Sequence, residues 1–129
     1  MKSSTFVDAL TDLRSKSAAH FRSKTLASSN EVAEDQVWSR YHEAVAEVRQ
    51  LWGEPELAPA GMAYEGPGPR AGGKASCPSP DESFRRLYRQ ALRIGWWKRE
   101  GFVLALVVTG HDANSLHLLQ LAVAAAGDA

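Results

Sequence analysis

Residues Trp96 to Val108 restrict the possible folds of this chain more than any other stretch. Trp96 and Trp97 are adjacent, and the eight residues from Phe102 to Thr109 are almost all aliphatic, aromatic or β-branched, the composition of a buried strand. Neighbouring strand residues point to opposite faces, so the two indoles cannot enter the same side of a sheet. Phe102, Leu104, Leu106 and Val108 then line one face, while Val103, Ala105 and Val107 line the other. Both faces need cover, either from helices of the same chain or from a second molecule.

Local signals predict how this ribbon is extended. Ile94 to Lys98 and Phe102 to Thr109 flank Arg99-Glu100-Gly101, a loop whose glycine suits the left-handed position of a three-residue hairpin. The Leu, Gln and Ala of Leu116 to Ala126 are good helix formers. The short turn Gly110 to Ser115, and the need of a central strand for partners on both edges, predict a further strand there instead.

Upstream, Phe6, Leu10, Leu13 and Phe21 share a helical stripe, with Thr5 and Asp8 at capping-box spacing, predicting an amphipathic helix over residues 5–26. A second helix is predicted from Ser28 and Glu31 through Val37, Tyr41, Ala44, Val48 and Leu51, stopped by Gly53 and Pro55. Residues 53–81 hold all six prolines and six of the ten glycines, leaving room only for an edge strand at Met62 to Glu65. Ser79-Pro80-Asp81-Glu82 then supplies cap, proline and acid for a short helix that carries Phe84, Leu87, Tyr88 and Ala91 and ends near Leu92. Tyr88, Gln90, Leu92, Ile94 and Trp96 also alternate, the pattern of a strand running back through the same segment.

The expectation is one α+β domain over residues 1–129. Two N-terminal amphipathic helices occupy 1–52, a Pro/Gly-rich excursion occupies 53–81, and a short helix with an antiparallel three- to four-stranded sheet occupies 82–129. A chain of 129 residues has the size of one such core. Fifteen basic and fifteen acidic residues give a formal net charge of zero, so the whole molecule has no general attraction to nucleic acid or anionic lipid. A single cysteine, Cys77, cannot form an internal disulfide, and Asp8 and Asp12 interrupt any secretion signal, which together predict a reducing, cytoplasmic setting. No stretch has the apolar length of a membrane span.

Four motifs suggest chemistry and fall short of it. Gly68-Pro69-Arg70-Ala71-Gly72-Gly73-Lys74-Ala75 comes within one residue of the phosphate-cradling pattern G-x-x-x-x-G-K-[ST]. Ala75 removes the hydroxyl that holds magnesium, and Pro78 and Pro80 block the helix that must follow, so no nucleotide or other cofactor is expected. His42-Glu43 starts a zinc-protease pattern that Ala46 breaks. His111, Asp112 and His117 offer an acid–base or metal set if they converge, the basis of an alternative small-enzyme reading, although Asp112 in a turn ordinarily bonds the local backbone. Cys77 has no neighbouring charge in sequence to activate it.

Charge is balanced overall and uneven locally. Residues 31–56 carry seven acids against Arg40 and Arg49, whereas residues 82–101 carry six bases against Glu82 and Glu100. Arg85, Arg89 and Arg93 recur every four residues with Arg86 beside them, an alternative nucleic-acid-binding stripe if Trp96, Trp97 and Tyr88 can stack on bases. Otherwise such a face is solvated, or lies against the acidic second helix. The leading expectation is a non-enzymatic protein-binding module of the immunity, antitoxin, adaptor or chaperone kind, able to pair with itself as a homodimer. Its contact surface is Trp96, Trp97, Lys98 and Arg99 at the hairpin, with Glu43 and Glu47 of the second helix, an aromatic anchor inside a charged rim.

Overall fold

The computed structural model describes residues 21–29, 32–52, 63–74, 76–99, 102–110 and 117–125. Five strands, β1 (Arg22–Ser28), β2 (Ala63–Pro67), β3 (Ala91–Arg99), β4 (Phe102–Gly110) and β5 (His117–Ala125), form one antiparallel sheet in the order β1-β5-β4-β3-β2. Two helices flank it, α1 (Glu34–Trp52) and α2 (Glu82–Arg89). The class is α+β, with more strands and a different helical start than the sequence predicts.

β4 is the centre, and its composition explains why. Every residue from Val103 to Gly110 is buried, and alternation divides them between two cores. Leu104, Leu106 and Val108 pair with Val123, Leu121 and Leu119 of β5 and, with Trp97, meet Val37, Tyr41, Ala44, Val45 and Val48 of α1. Val103, Ala105 and Val107 join Ile94, Trp96, Ala122 and Ala124 on the opposite face, against Phe84 and Tyr88 of α2. The long helix thus lies over the leucine-rich face and the short helix over the face rich in alanine. Each large apolar side chain so buried contributes about 1.5–3 kcal/mol.

Gly95 is what lets Trp97 lie flat on the α1 side. A Cβ at Gly95 would stand 3.3 Å from the Cη2 and Cζ3 atoms of that indole, closer than ordinary contact.

Four sequence expectations are corrected. Residues 22–26 are not the end of a helix: Arg22–Ser28 is an edge strand held by a ladder to β5, Arg22 opposite Val123 and Ala27 opposite Leu119. The rest of the expected first helix, residues 5–20, lies outside the described residues. Ser28 therefore ends a strand rather than capping a helix, its carbonyl accepting the Val32 N–H at 3.0 Å, and α1 starts six residues later. α2 is capped by Asp81, whose Oδ1 accepts the Phe84 N–H at 3.1 Å, and ends at Arg89. β3 starts at Ala91 and slips register between Ala91 and Arg93. The helix reading of 82–92 therefore holds for its first two turns, and strand pairing takes the remainder. The expected edge strand appears as β2, and the 116–126 segment appears as strand β5. Arg99 pairs directly with Phe102, so the β3–β4 connection is shorter than the three residues expected.

Candidate functional site

The hairpin surface expected from the sequence is not formed. Trp97 is 2% exposed and Trp96 5% exposed, the first under α1 and the second beneath α2. Each face of the sheet closes over its own indole, so neither ring is presented to a partner. Lys98 is partly buried on the α2 side of β3, opposite Val103. Glu43 and Glu47 are carried by α1 on the other side of the sheet, so these residues do not converge. The side chain of Arg99 lies outside the described residues.

Arg93 leaves the expected stripe because it belongs to β3 and points to the α1 side, two residues from Gly95 and four from Trp97. There it grips Glu65, Nε donating to Oε2 at 2.8 Å and Nη2 to Oε1 at 3.2 Å. The Tyr41 hydroxyl donates to the same Oε2 at 2.8 Å, and Arg49 Nη2 stands 3.7 Å from Oε1. Three residues, Arg93, Tyr41 and Arg49, thus donate to this carboxylate or pair with it. Burial first, and then the Glu65 charge, drive the Tyr41 phenol far above its ordinary pKa. Burial works against the Arg93 charge, but the Glu65 bond and carboxylate outweigh it and hold the guanidinium above its usual value. Sequence reasoning missed Glu65. The available signal was a lone acid in residues 57–80, placed on the inward side of a predicted edge strand.

The proposed acid–base set is only partly visible. His117, 9% exposed, opens β5. Its backbone N–H donates to Ser29 Oγ at 2.9 Å, and its Nε2 stands 3.7 Å from Glu34 Oε2 beside the ring of Trp38. His111 and Asp112 lie outside the described residues. Among the described residues no three His, Cys, Asp or Glu side chains gather as a metal site. His42 packs edge-on to Tyr41 on an exposed turn of α1. Cys77 donates to the Ser79 carbonyl at 3.3 Å, and burial pushes its thiol up, which keeps it a poor nucleophile at neutral pH.

The glycine-rich loop closes on itself. The N–H groups of Ala71, Gly72 and Gly73 donate to Gly68, Pro69 and Gly68 carbonyls at 3.0, 3.2 and 2.9 Å, with Gly72 in the left-handed region at φ 89°. Those donors face inward, and the segment that follows β2 is a three-residue 3-10 turn, Pro69–Ala71, instead of the helix a phosphate needs.

What remains outward is charge. Arg85, Arg86 and Arg89 of α2 are exposed, and no described carboxylate pairs with any of them. Arg86 and Arg89 sit in the last turn, where the helix dipole favours cations. Arg85 lies one turn earlier and faces Arg89 at i,i+4, a like-charge pair that costs a few tenths of a kcal/mol, about 0.2–0.5. The Pro69–Ala71 turn packs against α2 and adds exposed Arg70, whose Nη1 donates to the Gly110 carbonyl at 3.1 Å. The acidic helix does not neutralise this face, because the whole sheet lies between α1 and α2. No helix among the described residues is long and apolar enough to cross a membrane. The chain matches no family model, no curated protein and no solved structure.

Proposed function

We propose that this chain is a non-enzymatic protein-binding module that holds an acidic surface of its partner against the arginine face of α2. The observation that carries this reading is the trio Arg85, Arg86 and Arg89, exposed together on eight residues of helix and unpaired with any described carboxylate. Planar guanidinium forks suit bidentate capture of carboxylates, and Arg is among the residues that concentrate binding energy at interfaces. Exposed pairs individually contribute only about 0.2–1 kcal/mol. Such a face therefore acts mainly through steering and cooperation among several contacts, and it weakens as salt screens it.

An oily sheet face does not support association into a homodimer, because α1 and α2 cover the two faces. The nucleic-acid alternative also loses the groups it needed: Arg93 is engaged by Glu65, and Trp96, Trp97 and Tyr88 are buried. With Cys77 as the sole cysteine, the proposed setting is the reducing cytoplasm.

The test uses a fluorescein-labelled poly-glutamate peptide and a single-stranded oligonucleotide of equal charge, in fluorescence anisotropy at low and physiological salt. The expected result is salt-sensitive binding of the peptide that falls more than tenfold in the Arg85→Ala/Arg86→Ala/Arg89→Ala variant. Equal binding by that variant, or a preference for the oligonucleotide, overturns the proposal.

A further inference from the structure

We infer that the outer edge of β1 is a second docking site, one that accepts an extended segment of a partner carrying acidic residues at alternate positions. β1 ends the sheet, paired to β5 on one side. Among the described residues no strand pairs with its other side. Arg22, Ser23, Lys24 and Thr25 are all exposed, so neither helical layer reaches over this part of the ribbon. Backbone N–H and C=O groups along such an edge form a template for one more strand.

The opposite edge of the sheet is closed by its own chemistry. β2 is five residues long and ends in Pro67, which has no N–H to offer. The Tyr64 hydroxyl donates to the Pro67 carbonyl at 3.0 Å, removing that acceptor as well.

Charge defines the occupant. Arg22 lies opposite Val123 and Lys24 opposite Leu121, so both cations are on the same face of the ribbon, about 7 Å apart along it. A strand added outside β1 places its own side chains about 4.5–5.5 Å from these two. Acids at alternate positions answer both cations. A second copy of β1 fits less well, since antiparallel pairing centred on Ser23 sets Arg22 against Lys24, and pairing centred on Lys24 sets that residue against itself. The register slip between Thr25 and Ala27 marks where the flat run stops, because a bulge twists the strand away.

The experiment uses the full chain and a five-residue probe peptide, Glu-Val-Glu-Val-Glu, in two N-methylated forms that block alternate sets of amides. Strand addition predicts that one methylated form loses binding by more than tenfold while the other binds as the parent does. It also predicts that Arg22→Glu/Lys24→Glu moves preference to Lys-Val-Lys-Val-Lys, and that the α2 triple-alanine variant keeps the difference between the two methylated forms. Equal binding of the two methylated forms, no binding at all, or loss only in the α2 variant overturns the inference. The last of these outcomes leaves the α2 reading intact, which separates the two sites. Concentration-dependent dimerisation that Arg22→Glu/Lys24→Glu abolishes also overturns it, by assigning the edge to a second copy.

Discussion

Trp96 and Trp97 are consecutive residues in different cores, and each meets a different environment. Trp97 lies in the leucine-rich core under α1. Trp96 lies near Tyr64, ring centroids 6.4 Å apart, and its buried Nε1 has no hydrogen-bond partner among the described residues. Tyr41 is the polar counterpart on the α1 side, its hydroxyl bound to Glu65. A phenol whose folded pKa is raised keeps its proton after the unfolded chain has lost it. Its stabilising contribution is complete below the unfolded value near pH 10 and declines above it, by up to about 1.4 kcal/mol per pH unit. Tyr41→Phe removes both the bond to Glu65 and this alkaline penalty. The variant is expected to be less stable than the parent at pH 7 by about 1.5–3 kcal/mol, with the gap narrowing from about pH 10 upward. Urea midpoints across that range check it, and a gap independent of pH contradicts the assignment.

At the level of elements, β3 and β4 were readable because their local composition and their tertiary role agree, whereas β5, rich in the helix formers Leu, Gln and Ala, was readable only from the partner that β4 needs on its second edge. Alternation in Phe102 to Thr109 demands burial on both faces, and the sheet supplies it. α1 was readable from Val37, Tyr41, Ala44 and Val48, which form the stripe that meets the sheet. β1 was not, since Arg-Ser-Lys-Thr-Leu-Ala-Ser carries no alternating apolar residues and becomes a strand through pairing with residues about a hundred positions away. The end of α2 was misplaced for a related reason: Ala91 fits a helical stripe, but its backbone is claimed by the ladder to Thr109. The start of α2 depends on one side chain. Asp81→Ala removes the acceptor of the Phe84 N–H and is expected to cost about 1 kcal/mol, within the usual 0.5–2 for a lost cap. Equilibrium denaturation checks this; an unchanged midpoint means that Ser79 and the helix dipole suffice without Asp81.

On the scale of the whole molecule, zero net charge conceals a division by layers. α1 opens with Glu34 and Asp35 on one side of the sheet, while Arg85, Arg86 and Arg89 lie on α2 on the other. The local imbalance was legible in the sequence, but its consequence was not, because the sheet that keeps the two helices apart is a property of topology. The indoles, expected as the anchor of a partner surface, are interior, and the contact surface we propose is charged instead. The measurement that tests this most directly is acrylamide quenching of a Trp38→Phe/Trp52→Phe variant, in which Trp96 and Trp97 are the only tryptophans left, excited where tyrosine does not absorb. Emission well to the blue of free indole, with quenching several-fold weaker than for N-acetyltryptophanamide, is the result expected. An accessible component near half of the signal, emitting like tryptophan in water, would place one of the two rings on the surface and contradict the account.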